Sequence, residues 1–194
     1  IRRFFKNKKK GFYVDIGCYH PVKGSLTYYL FKKGWKGLNV DLSKVSVDLF
    51  KISRPNDHNI NAAITDFDGE TNYYENGVIN QQNSLISDTS KKKIKIKSYK
   101  LNSLLNELNV HEIDYLNIDV EGNEFKVISS LNFQKHKPRL ISIEQNIYNS
   151  EKLLDQDCHK FLLENHYFLA SKIGVTCIYI DLKYEKSIST IMSV

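Results

Sequence analysis

Gly11-Phe12-Tyr13-Val14-Asp15-Ile16-Gly17-Cys18-Tyr19-His20-Pro21 decides how this chain is read. Phe12 to Ile16 is a short apolar run that carries one acid and breaks into a turn. Such a run, bounded by turn signals, suits a parallel strand covered on both faces. In an open α/β sheet, ligands lie beyond the carboxyl ends of the strands, at the switch point of the strand order. Asp15 and Gly17 are expected at that edge. Gly17 lets the backbone pass close to a ligand where a Cβ would collide.

The same pattern repeats outward. Ser25 reads as an N-cap, with Leu26, Tyr29 and Leu30 on one helical face and Gly34 as the stop. Gly37 to Asp41 is a second strand ending in an acid. Ser43 to Ile52 reads as a helix burying Val45 and Leu49, closed before Pro55. Asn59 to Ile64 is a third strand. Asp68-Gly69 turns the chain into Thr71–Tyr74. Residues 77–89 read as a mobile loop. Ile94 and Ile96 alternate with Lys93, Lys95 and Lys97, which suits a strand at a sheet edge. A helix over 101–108 precedes strands at 113–119 and 139–144. Between those two strands lies a helix from Glu124 to Leu131, with Asn123 as its N-cap. A helix carrying Leu154, Cys158, Phe161 and Leu162 on one stripe follows. A hairpin around Gly174 closes the chain. The expected architecture is α/β: a doubly wound, mostly parallel seven-stranded sheet with helices on both faces and an antiparallel closing hairpin.

The 194 residues suit one domain. Residues 1–10 form a basic lead-in, residues 183–194 a loosely held tail, and further residues are expected upstream of Ile1. No apolar run reaches the length of a membrane helix, and no secretory pattern opens the chain. The three cysteines are scattered, with no CxxC pair, which points to a reducing, cytoplasmic setting. The net charge of +6 gathers in lysine clusters that read as solvated faces.

Asp15, Asp41, Asp119 and Glu144 each end a strand, and together they are expected to line one rim. Asp41 stands 24 residues beyond Gly17, the spacing at which an acid takes ribose hydroxyls in dinucleotide folds. GxGxxG is absent, however, since Cys18, Tyr19 and His20 stand where further glycines would be needed. That argues for a nucleoside ligand without a pyrophosphate.

Several blocks together resemble the FkbM family of S-adenosylmethionine-dependent methyltransferases, with the Rossmann-like class I fold. They are Val14 to Pro21, Ser25 to Leu30, Lys33 to Asp41, Asn61 to Ile64, and Asp114-Tyr115-Leu116-Asn117-Ile118-Asp119-Val120-Glu121-Gly122-Asn123-Glu124. The resemblance implies S-adenosyl-L-methionine as cofactor. It implies that Asp15 and Gly17, with Cys18 and Tyr19, shape the pocket for the methionine end. Asp41 would hold the ribose, Leu42 would lie against the adenine, and Asn61 and Ala62 would border its edge. Asp119 and Glu121 would face the transferred methyl. The acceptor it implies is a hydroxyl on a carbohydrate or related small molecule.

Methyl transfer to an alcohol needs alignment and a base. Asp119, Glu121 and His20 are the candidate bases. Asn83 and Ser84 in the loop, and Glu144, are candidate acceptor contacts. Carboxylates this close could instead gather Mg²⁺, but no further oxygen ligands are evident, so no metal is expected. Three other readings stand beside this one. An RNA methyltransferase would suit the basic charge, but the chain lacks an Asn/Asp-Pro-Pro-aromatic motif and an added RNA-binding module. A silent binding module would be expected to lose Asp15, Gly17 or Asp41. An NAD-dependent oxidoreductase lacks its glycines.

Overall fold

A computed structural model describes residues 1–75, 84–88, 90–147 and 150–185. Phe12–Ile16 forms β1, and its last four residues are buried. The first helix, α1, runs Tyr28–Lys32 with Thr27 at its N-cap position, three residues beyond the expected start. Ser25 does not cap it, because its hydroxyl bonds Arg54 and Thr27 instead. Leu26 is consequently exposed rather than on the buried face. β2 is Lys36–Asp41, and α2 is Lys44–Ser53 with the Ser43 hydroxyl capping Ser46 N–H.

The segment expected to be one third strand is two. His58–Asn61 is β3 and Ala63–Thr65 is β4, in different sheets. Asn61 Nδ2 donates to the carbonyls of Asp41 and Leu42, and Ala62 N–H donates to Asp41 O. These bonds pull the chain across the end of β2 and stop the ladder. β5 (Gly69–Glu75) and β6 (Lys92–Lys100) complete a three-stranded sheet of order β4-β6-β5. The lysine-rich β6 is therefore its central strand, not an edge. Its lysines occupy a wet face while Ile96 is buried on the other.

Next come α3 (Leu101–Glu107), β7 (Tyr115–Ile118), α4 (Glu124–Ser129) and β8 (Leu140–Glu144). Asn123 holds the N-cap position of α4 without a side-chain capping bond. The short α5 (Ser150–Leu153) precedes α6 (Asp157–Glu164). α6 buries Cys158 and Leu162, while Leu154 lies outside it and is exposed. β9 (Tyr167–Ile173) and β10 (Thr176–Asp181) form the closing hairpin.

The main sheet has seven strands in the order β3-β2-β1-β7-β8-β10-β9. The first five run parallel, and β10 runs antiparallel to both β8 and β9. Alternate strand residues supply two cores. Val14, Ile16, Leu116, Ile118, Ile141 and Ile143 pack with α3, α4 and α6. Tyr13, Tyr115 and Leu140 pack on the other face with Leu30, Trp35 and Phe5. Each such buried side chain gains about 1.5–3 kcal/mol from leaving water, much of it offset by lost chain entropy. Phe5 shows that the basic lead-in is also anchored: it packs edge-on against Trp35 at 4.9 Å. No helix among the described residues is long and apolar enough to cross a membrane. The three cysteines are free and buried. Residues 186–194, which make up most of the expected loose tail, lie outside the described residues.

Candidate active site

The parallel register sorts the strand-end polar groups into two rows. Asp15 lies opposite Asn39 and Asn117, Asn39 opposite Asn59, and Asn117 opposite Ser142. This inner row is buried and bonded to itself. Asn117 Nδ2 donates to Asp15 at 2.9 Å, Asn39 Nδ2 to Asn59 at 2.9 Å, and Ser142 Oγ to Asn117 at 2.5 Å. Two residues further along stand Gly17, Asp41, Asn61, Asp119 and Glu144, the row at the rim. Asp15 thus sits one row deeper than expected. Its second oxygen accepts from Thr27 Oγ1 at 2.7 Å, and burial raises its pKa.

Above the rim is a cavity of about 170 Å³. One end is apolar, formed by Val40, Leu42, Ala62, Ile64 and Leu85. The other end carries Asp119, Glu121 and Glu144, and Ile16, Gly17, Tyr19, Asp41 and Val120 lie on its walls as well. None of the described residues that line it is basic. Asp41 accepts from Tyr19 N–H at 2.8 Å and Ser43 N–H at 2.7 Å. Burial nevertheless pushes its pKa up to about 6, against those two bonds. Each carboxylate oxygen has two lone pairs, so Asp41 keeps acceptor capacity for a ligand.

Gly17 has φ +78°, and a Cβ there would stand 1.7 Å from the Asp119 carbonyl oxygen. The crowding that requires glycine comes from the chain itself, because the first turn and the end of β7 meet at this point. Oxygens of Asp119, Glu121 and Glu144 lie within 4.8 Å of one another. Asp119 keeps an exposed side chain, yet desolvation by the surrounding cavity wall pushes its pKa up to about 8, helped by a hydrogen bond and charge from Glu144 and by the charge of Glu121. Glu121 is raised too, by burial and then by Glu144. At neutral pH Asp119 is therefore largely protonated, as one member of a group of crowded carboxylates comes to be.

Ser84 bridges to Tyr74, and its hydroxyl donates to Glu121 O at 3.2 Å. Leu85 faces the cavity, and Ile86 packs over Gly122. Asn83 lies outside the described residues. His20 is absent from the cavity wall. Its Nδ1 accepts from Val22 N–H and Lys23 N–H, both at 3.0 Å, so the neutral ring carries its proton on Nε2. Cys18 is buried, with its thiol pKa raised well above the ordinary value by burial and then by Asp41. Asn61 is exposed and holds carbonyls rather than facing the cavity. The residues not anticipated from sequence are Ile16, Val40, Ile64, Leu85 and Val120 on the wall. Position at the end of a strand was the available signal for Ile16 and Val40; Leu85, in a loop, carried none.

The strand order and an acid-lined cavity at its switch point define a Rossmann-like domain of the class I methyltransferase type. The chain belongs to the FkbM methyltransferase family: the model described as "Methyltransferase FkbM domain" matches residues 15–169. Among solved structures it is similar to a methyltransferase FkbM from Methylobacillus flagellatus KT, with TM-score 0.58 and 12% identity. That likeness covers 89% of this chain and 44% of the other, and it speaks for the fold. No curated protein matches the sequence.

Proposed function

We propose that this domain is an S-adenosylmethionine-dependent methyltransferase that methylates a hydroxyl on a carbohydrate or related metabolite. The observation that carries this is the charge of the cavity, acidic at one end, apolar at the other and without a basic residue among the described residues of its wall. A pyrophosphate cofactor would be repelled there, whereas a ligand with an adenine, a ribose diol and a cationic sulfonium matches each part.

Leu42, Ala62 and Ile64 would cover the adenine, and Asp41 would accept from the ribose hydroxyls. Gly17 and Tyr19 would border the methionine end, with Asp15 supporting the turn from below. Bound S-adenosylmethionine supplies an electrophilic methyl group on sulfur. The acids at the other end orient the acceptor and take its proton. Asp119 is the favoured base, since a pKa of about 8 makes its ionised form a better proton acceptor than an ordinary carboxylate. Glu121 lies beside it, and Ser84, whose hydroxyl donates to Glu121 O, closes the acceptor side. The buried free cysteines suit a reducing, cytoplasmic setting.

Incubation with methyl-labelled S-adenosylmethionine and fractionated cell glycans, lipids and RNA tests this. Label in the glycan or small-molecule fraction is expected. Label confined to RNA, or none in any fraction with the cofactor bound, would sink the acceptor assignment.

A further inference from the structure

Arg54 ends α2, precedes Pro55, and has no solvent exposure at all. A buried guanidinium is tolerated only when most of its donors are met, and in Arg54 both terminal nitrogens are paired while Nε has no partner among the described residues. Nη1 donates to Tyr13 Oη at 3.0 Å and to Thr27 Oγ1 at 2.9 Å. Nη2 donates to Pro21 O at 2.5 Å and to Ser25 Oγ at 3.0 Å. The rings of Phe50 and Phe31 lie 4.7 and 5.0 Å from its Cζ. The charge is balanced at one remove. The Tyr13 hydroxyl donates onward to Asp57, and the Thr27 hydroxyl donates to Asp15. Each hydroxyl accepts from the cation and donates to an anion, so the direction of both chains of bonds is fixed.

Pro21, Ser25 and Thr27 all belong to the turn between β1 and α1. Its first limb carries Gly17 and Tyr19 to the cavity, and Tyr19 N–H holds Asp41. Its second limb is bound through the guanidinium to the strand residue Tyr13. We propose that Arg54 is a positioning residue for the methyl-donor site, holding the turn over residues 18–27 so that Tyr19 and Asp41 keep their places. This rests on the donor reading given above. Lysine cannot replace Arg54, because one nitrogen cannot reach both limbs as a planar fork does.

The test compares Arg54→Lys, Ser25→Ala and Thr27→Val with Leu105→Ala, a core change in α3 remote from the turn. Calorimetry with S-adenosylhomocysteine is run well below each melting temperature, beside circular dichroism and hydrogen exchange. Arg54→Lys is expected to weaken binding more than tenfold and each turn variant about tenfold, with faster exchange confined to residues 18–27. Leu105→Ala is expected to melt earlier yet bind like the parent, which separates positioning from general stability. If Arg54→Lys fails to fold, the two turn variants decide. Parent-like affinity in folded variants overturns the proposal alone. A parent that binds no S-adenosylhomocysteine overturns the donor reading, and this proposal falls with it.

Discussion

Gly17→Ala tests the join between the first turn and the acid end of the cavity. Two costs act at this site. The positive φ of +78° costs a non-glycine residue about 1–2 kcal/mol. The new Cβ must also move from 1.7 Å to at least 3.0 Å from the Asp119 carbonyl oxygen. That carbonyl is backbone, fixed by the bond from Asp119 N–H to Ile16 O at 2.9 Å. Relief of such an overlap costs about 1–3 kcal/mol more. The sum is about 2–5 kcal/mol, and for a domain of this size each kcal/mol lowers Tm by about 2–4 °C. Gly34→Ala is the internal control, since its φ is +82° and a Cβ there meets nothing within 4 Å. It bears the backbone cost alone. Thermal unfolding should therefore place Gly17→Ala below Gly34→Ala by about 2–12 °C. Cofactor binding should weaken only in Gly17→Ala, because the shift displaces Asp119. Equal melting temperatures for the two variants would refute the close approach.

The carboxylates give further expectations. Asp41→Ala should weaken S-adenosylmethionine binding by about 1.5–3 kcal/mol in calorimetry, the worth of hydrogen bonds to a charged group; unchanged affinity would remove Asp41 from the ribose role. Asp119 has a raised folded pKa, so its contribution to stability is present at low pH and is lost as pH rises from about 4 to about 8. Asp119→Asn should accordingly gain on the parent over that window by about 1–2 kcal/mol, an amount trimmed by solvent screening because the side chain is exposed; parallel stability curves in urea would contradict the raised Asp119 pKa. Turnover should rise with pH through about 8 as Asp119 ionises, and a flat profile over pH 6–9 would remove it as the base. Turnover should also survive EDTA, whereas loss restored by Mg²⁺ would make the three acids a metal site.

The parallel strands themselves, though not their order across the sheet, were legible because each is a short apolar run ending in a turn residue. The break between β3 and β4 was not. Asn59-Ile60-Asn61-Ala62-Ala63-Ile64 is continuous in pattern, and what divides it are bonds from Asn61 to carbonyls about twenty positions earlier. The lysines of β6 reported a wet face correctly, but a wet face belongs to central strands of a one-sided sheet as readily as to edges. Arg54 was also within reach. It is one of only four arginines among 28 basic residues, and it was overlooked. In a chain that uses lysine for solvated charge, an arginine ahead of a proline calls for a role that lysine cannot fill.

Asp15 shows where strand-end reading needs register. Read singly, it is one more acid beside a turn. Read across the sheet, the segments Asp15-Ile16-Gly17, Asn39-Val40-Asp41, Asn59-Ile60-Asn61, Asn117-Ile118-Asp119 and Ser142-Ile143-Glu144 share one form, polar–apolar–rim. Side chains alternate faces along a strand, so the first and third members of each triplet share a face while the apolar residue enters the opposite core. The aligned triplets then separate two duties. The inner polar row is largely buried and is satisfied by bonds within it and to Thr27, Arg54, Asp57 and Tyr115, giving the sheet one register, because a slip of one residue would bury the row against aliphatic side chains without partners. The outer row is left for ligand. Glycine occupies the outer position on β1 because the Asp119 carbonyl fills the space a side chain would need. Loss of the Asp15 carboxylate would therefore act first on the turn and the sheet, whereas loss of Asp41 acts on the cavity.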